Sequence, residues 1–125
     1  MNEFEHERLD VYQAAIQFLA LADTIAGTLP RGRSYLADQL RRAASSISFN
    51  IAEVAGEFAT ADKARFYRMA RRSATESAAI LDACRILLLS ASQTGRALLL
   101  RIVAMLTAMV VKLSGSGSGS GSGST

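Results

Sequence analysis

The sequence predicts an all-α protein, an antiparallel up-down-up-down bundle of four helices. Three observations predict it. Apolar residues recur at three- and four-residue spacing through four successive segments. Half of the residues are hydrophobic and a single proline interrupts the 125-residue chain, so long helices can run unbroken over enough apolar surface for a core. The connections are short, which makes neighbouring helices antiparallel. Trp is absent and aromatic residues are 6% of the chain, so Ala, Leu and Ile must do most of the core packing.

The first helix is predicted from Leu9 to Thr28. Val11, Ala14, Ala15, Phe18, Leu21, Ala22 and Ile25 form its apolar stripe, and Gly27 with Pro30 ends it. The second is predicted from Ser34 to Phe58, with Leu36, Leu40, Ala43, Ala44, Ile47, Ile51, Val54 and Phe58 on one side and Gly56 as a stop. Thr60-Ala61-Asp62 supplies a cap for the third, which runs to Leu89. Phe66, Met69, Ala70, Ser73, Ser77, Ile80, Leu81, Cys84 and Leu87 line its inner side. Ser90 or Ser92 caps the fourth, which ends at Leu113. Residues 1–113 are thus expected to form the bundle. Residues 114–125 alternate Gly and Ser up to Thr125 and are expected to be a flexible linker or tag.

Few residues invite chemistry. The formal charge of +3 is mildly basic, short of the dense positive field of a dedicated nucleic-acid binder. One cysteine, Cys84, excludes an internal disulfide framework, and its apolar surroundings read as a buried thiol. His6 sits among Glu5, Glu7 and Arg8 and reads as a solvated side chain. No His/Cys/acid cluster and no nucleophile–base pair is evident, so catalytic, cofactor and metal residues are expected to be none. The start Met1-Asn2-Glu3-Phe4-Glu5 is acidic and lacks an apolar run, from which a cytoplasmic protein is expected.

Helix two carries a polar stripe beside its apolar one. Gln39, Arg42, Ser46, Asn50 and Glu53 are spaced three, four, four and three, so they share one side of the helix. Ser73 and Glu76 lie near the middle of helix three. An antiparallel pairing would bring Arg42 or Asn50 to Glu76. Burial of such groups is tolerable when they are paired, so the seven residues are read as a structural polar network that fixes register.

Two basic groups stand out. Lys63, Arg65, Arg68, Arg71 and Arg72 crowd the first half of helix three, and Arg65, Arg68 and Arg72 share a face. Arg31, Arg33, Arg41 and Arg42 form the second group. Guanidinium groups hold phosphates well, so Arg65, Arg68 and Arg72 are the candidate nucleic-acid contacts. The competing reading is a solvated, salt-bridged helix face.

Helix four is apolar nearly all round, with only Arg101 and Lys112 charged between Ala97 and Leu113. It is read as too short, and too interrupted by Arg101, to cross a membrane. One side must pack inside the bundle, and the other would expose an apolar patch of the kind that marks interfaces. Leu98, Leu99, Ile102, Met105, Leu106, Met109 and Val110 are the expected interface for self-assembly, and the expected partner is a second copy of the chain.

The runs "LDVYQAAIQF", "LADQLRRAASSISFNIAEVAGE" and "RFYRMARRSATES" resemble the four-helix bundle proteins of the 23S-rRNA-intervening-sequence family over Phe4–Leu113. The resemblance implies ring-shaped homopentamers and a structural role for the polar positions Gln39, Arg42, Ser46, Asn50, Glu53, Ser73 and Glu76. Related accessory proteins of diversity-generating retroelements bind nucleic acid and a reverse transcriptase through a basic pentameric barrel, which favours the nucleic-acid alternative. The sequence departs from the family pattern at Val54 and Arg72, where glycine is usual. These departures, the apolar fourth helix and the Gly/Ser tail point to a non-enzymatic pentameric scaffold engineered as a building block of a designed assembly, with a second designed chain as a further partner.

Overall fold

The computed structural model describes residues 5–88 and 93–117. Its helices are α1 (Asp10–Thr28), α2 (Ser34–Val54), α3 (Thr60–Leu88) and α4 (Gln93–Gly117), with short 3-10 turns at Glu5–Arg8 and Arg31–Arg33. The described residues contain no strand. The chain is a four-helix bundle in which α2 and α4 each pack against both α1 and α3.

Each helix starts and stops for local reasons. The Gln13 amide nitrogen donates to the Leu9 carbonyl at 3.1 Å and its side-chain amide donates to the Glu7 carbonyl at 3.2 Å, while Asp10 places negative charge at the positive end of α1. Pro30 forces the preceding Leu29 into extended backbone, with φ −73° and ψ 143°, and α1 stops there. After Val54 the backbone tightens. The N–H groups of Ala55, Gly56 and Glu57 donate to the carbonyls of Ala52, Glu53 and Val54, three residues back.

That tightening corrects the expected end of helix two. The helix stops at Val54, four residues before Phe58, and Phe58 leaves the apolar stripe to stand 99% exposed. Helix four, in contrast, continues past Leu113 to Gly117, because an established helix adds residues at small cost even when they are poor helix formers. Ser90 and Ser92, the expected caps of helix four, lie outside the described residues, as does 118–125 of the expected linker.

The core runs down the axis of the bundle. Phe18 from α1, Leu40, Ile47 and Ile51 from α2, and Leu99, Ile102 and Leu106 from α4 are sealed from solvent. Each such side chain contributes about 1.5–3 kcal/mol by leaving water. Alanines at 14, 15, 22, 43, 44, 70 and 74 are buried between them and let the helix axes approach. Two inner positions expected on α3 differ: Met69 and Leu87 are exposed, and Tyr67 is buried in their place. A 29-residue helix drifts relative to a fixed neighbour, so a stripe read by spacing alone strays at its ends.

Candidate interaction surfaces and a polar seam

The middle of the α2–α3 contact carries a chain of small polar groups. Ser73 Oγ donates to Ser46 Oγ at 2.9 Å, and Asn50 Nδ2 donates to the same hydroxyl at 3.0 Å and to the Ser46 carbonyl at 2.8 Å. One turn further along α3, Ser77 Oγ donates to the Ser73 carbonyl at 2.9 Å, and Ser48 Oγ on α2 donates to the Ser45 carbonyl at 3.1 Å. Every buried side-chain N and O atom among the described residues has a partner, so the seam carries no unpaired polar burial. Hydroxyls are short enough to meet at the helix–helix contact, where a charged side chain would have to be desolvated.

Only Ser46, Asn50 and Ser73 of the seven expected network residues meet. Gln39, Arg42, Glu53 and Glu76 are exposed, and neither Arg42 nor Asn50 pairs with Glu76. The charged members sit at the outer edge of the same stripe, where water solvates them. Cross-helix ion pairs form elsewhere, between Arg41 and Asp23 at 2.9 Å and between Arg96 and Asp82 at 2.9 Å. Both are largely exposed and contribute under about 1 kcal/mol each.

The α4 residues expected at an interface divide by burial. Leu99, Ile102 and Leu106 are sealed in the bundle core, so they are not available to a second chain. Leu98, Met105, Met109 and Val110 are half-buried and pack against that core. The charged residues of the helix, Arg96, Arg101 and Lys112, all lie on its exposed side, which turns the opposite aliphatics inward. The outward side is a different set: Ala97, Leu100, Ala104, Ala108 and Val111, spaced three, four, four and three. Leu100 is 64% exposed and Val111 66%. The segment Gly95–Ser114 has a mean hydropathy of 2.0 and meets the length and composition of a membrane-crossing helix, so the expectation that it is too short is corrected.

The basic residues of α3 surround one concavity. Arg65, Arg68, Arg71 and Arg72 line it with Met69 and Thr75. Arg71 is anchored to α4, donating to Thr107 Oγ1 at 3.3 Å. Arg65 lies over the Phe66 ring at 4.5 Å and 3.8 Å from Asp62. Among the described residues Arg68 and Arg72 have no acidic partner. The sequence places Arg65, Arg68 and Arg72 on one face, and the fold adds Arg71.

Burial pushes the Cys84 thiol above its ordinary pKa, and no group of three potential metal ligands occurs among the described residues. His6 stacks edge-on against Tyr12 with ring centroids 4.7 Å apart, so it is fixed to α1. A second cavity, at the end of the bundle near His6, was not foreseen, because its walls come from three helices and the N-terminal 3-10 turn.

No curated protein matches the chain. The family model of the 23S rRNA-intervening sequence protein matches residues 7–110. That span reaches from the first 3-10 turn to the outward face of α4 and takes in the whole Ser46–Ser73 seam. The chain belongs to the 23S rRNA-intervening sequence protein family.

Proposed function

We propose that this protein is a non-enzymatic scaffold that assembles with copies of itself through the outward face of α4. The observation that carries this reading is the stripe Ala97, Leu100, Ala104, Ala108 and Val111, apolar along its whole length and left unpartnered by the bundle. Three alanines among the five positions allow a second helix to come close. Family membership and the closed symmetry of most homo-oligomers support a ring, for which we propose a pentamer. The Gly/Ser run from Ser114 to Ser124 supports the further reading of an engineered building block.

The up-down-up-down topology belongs to the same proposal. Moving eleven residues back along α3, from Asp82 to Arg71, moves eleven residues forward along α4, from the partner Arg96 to the partner Thr107. This register supports an antiparallel α3–α4 pair. The Arg41–Asp23 and Ser73–Ser46 bonds support the same relation at the two earlier turns.

The mass of the chain in solution tests the reading. Native mass spectrometry is expected to give a single species at an integer multiple of 13.3 kDa, five for the pentamer. A monomer at micromolar concentration overturns the assembly. A genomic sequence identical over residues 4–113 overturns the engineered part alone.

A second reading has its own observation. Four guanidinium groups around one concavity fit phosphate oxygens, and two of them lack an acidic partner among the described residues. On this alternative the assembled bundle binds nucleic acid through Arg65, Arg68 and Arg72. Gel-shift titration with RNA is expected to weaken steeply as salt rises. Binding that ignores salt, or its absence, overturns it.

A further inference from the structure

We infer that the cavity at the His6 end of the bundle is a binding site for a medium-chain carboxylate. The cavity holds about 290 Å³ and opens between the N-terminal 3-10 turn, the last turn of α2, the first turns of α3 and the C-terminal half of α4. Its floor is aliphatic: Ile51 and Val54 are buried, and Met109 and Leu113 are half-buried beside them. Lys63 and Lys112 stand at the same cavity, one half-buried and one exposed. Among the described residues no acidic side chain lines it. Among the described residues neither ammonium has a carboxylate partner.

These features select a ligand class. An aliphatic floor of this kind is matched by a hydrocarbon chain, whose burial there removes apolar surface from water. Two ammonium groups at one cavity give it a positive rim that attracts an anion. An ammonium is a compact point charge, and a carboxylate at the head of a single hydrocarbon chain pairs with it without the bidentate geometry a guanidinium requires. The volume lies just below the usual range of ligand pockets, roughly 300–1,000 Å³, which suits a single short chain. Met109 is an adaptable wall for a flexible chain. The Val54 side chain adds apolar area to the floor. The inference stands on the single chain and is independent of whether copies assemble.

The test is titration of the full chain, carrying labelled methionine methyls, with octanoate and separately with octanol. Octanoate is expected to shift the Met109 methyl saturably and to leave Met69, on the outer face of α3, in place. Octanol, which keeps the chain and loses the charge, is expected to bind about tenfold more weakly. The double variant Lys63→Gln/Lys112→Gln is expected to lose about tenfold in octanoate affinity and to keep its octanol affinity. Unchanged methyl positions in the ligand-free variant verify its fold. Equal affinity for acid and alcohol, an unaffected double variant, a Met69 shift as large as that of Met109, or no binding overturns the inference.

Discussion

Ser73 Oγ donates a 2.9 Å hydrogen bond to Ser46 Oγ, and Asn50 holds the same Ser46 hydroxyl from its own helix. Two helices are therefore pinned at mid-length by a bond that only one axial register permits. A shift of either helix by one turn would take the buried Ser73 hydroxyl away from Ser46, which is costly.

Removal of that bond is expected to cost little, and the coupling is the informative quantity. Ser73→Ala should lower unfolding free energy by about 1 kcal/mol in urea titration, because Ser46 keeps its Asn50 donor. In a double-mutant cycle with Ser46→Ala, a coupling of about 0.5–1 kcal/mol is expected. Additive losses would mean that the two hydroxyls do not act as a pair.

The two sides of α4 should respond differently. Ile102→Ala empties a sealed core position and is expected to cost about 2–5 kcal/mol. Leu100→Gln with Val111→Gln alters exposed positions, so the unfolding free energy of the single chain should change by about 0.5 kcal/mol or less per site. The same pair is expected to reduce the mass in solution to that of one chain. An unchanged assembly would place the interface on another face.

Phenylalanines separate buried from merely apolar positions. Phe18 is sealed between helices, and Phe18→Ala is expected to cost about 3–5 kcal/mol. Phe58→Ser lies in the turn after α2 and should be neutral within about 0.5 kcal/mol. Thermal unfolding of the two variants beside the parent checks both.

Burial of Cys84 has a pH consequence. Its folded pKa is raised, so folding favours the neutral thiol. The stabilisation is complete below the unfolded thiol value of about 8.5 and is lost as pH rises from there through the folded value. Urea midpoints are expected to fall more steeply above pH 8.5 for the parent than for Cys84→Ala. A thiol reagent at neutral pH should label Cys84 only as fast as the bundle opens.

The basic concavity predicts a salt signature. If nucleic acid binds there, Arg68→Gln and Arg72→Gln should each weaken RNA binding uniformly across sequences and lower the salt slope by about 1. Arg31→Gln, remote in sequence on the turn before α2, serves as the comparison.

What the sequence determined by itself was periodic or local. The spacing of Val11, Ala14, Ala15, Phe18 and Ala22, or of Leu36, Leu40, Ala43, Ala44 and Ile47, is a property of one helix, and each of these residues is buried. The stop at Pro30 is likewise local, since the proline constrains its own neighbour. Ser46 and Asn50 were legible as a polar stripe beside the apolar one on α2, and Ser73 as a polar group within the inner side of α3. Tertiary structure decided which of several same-face residues met a partner. Arg42 and Glu76 share their stripes with Ser46 and Ser73, yet a helix axis has room for hydroxyls at its contact and leaves the longer charged chains in water. It also decided which aliphatics of α4 face inward, although Arg96, Arg101 and Lys112 all lie on its exposed side and mark that side in the sequence. The cavity of Lys63 and Lys112 had no signature in the chain, because its walls are far apart in sequence and are brought together only by packing.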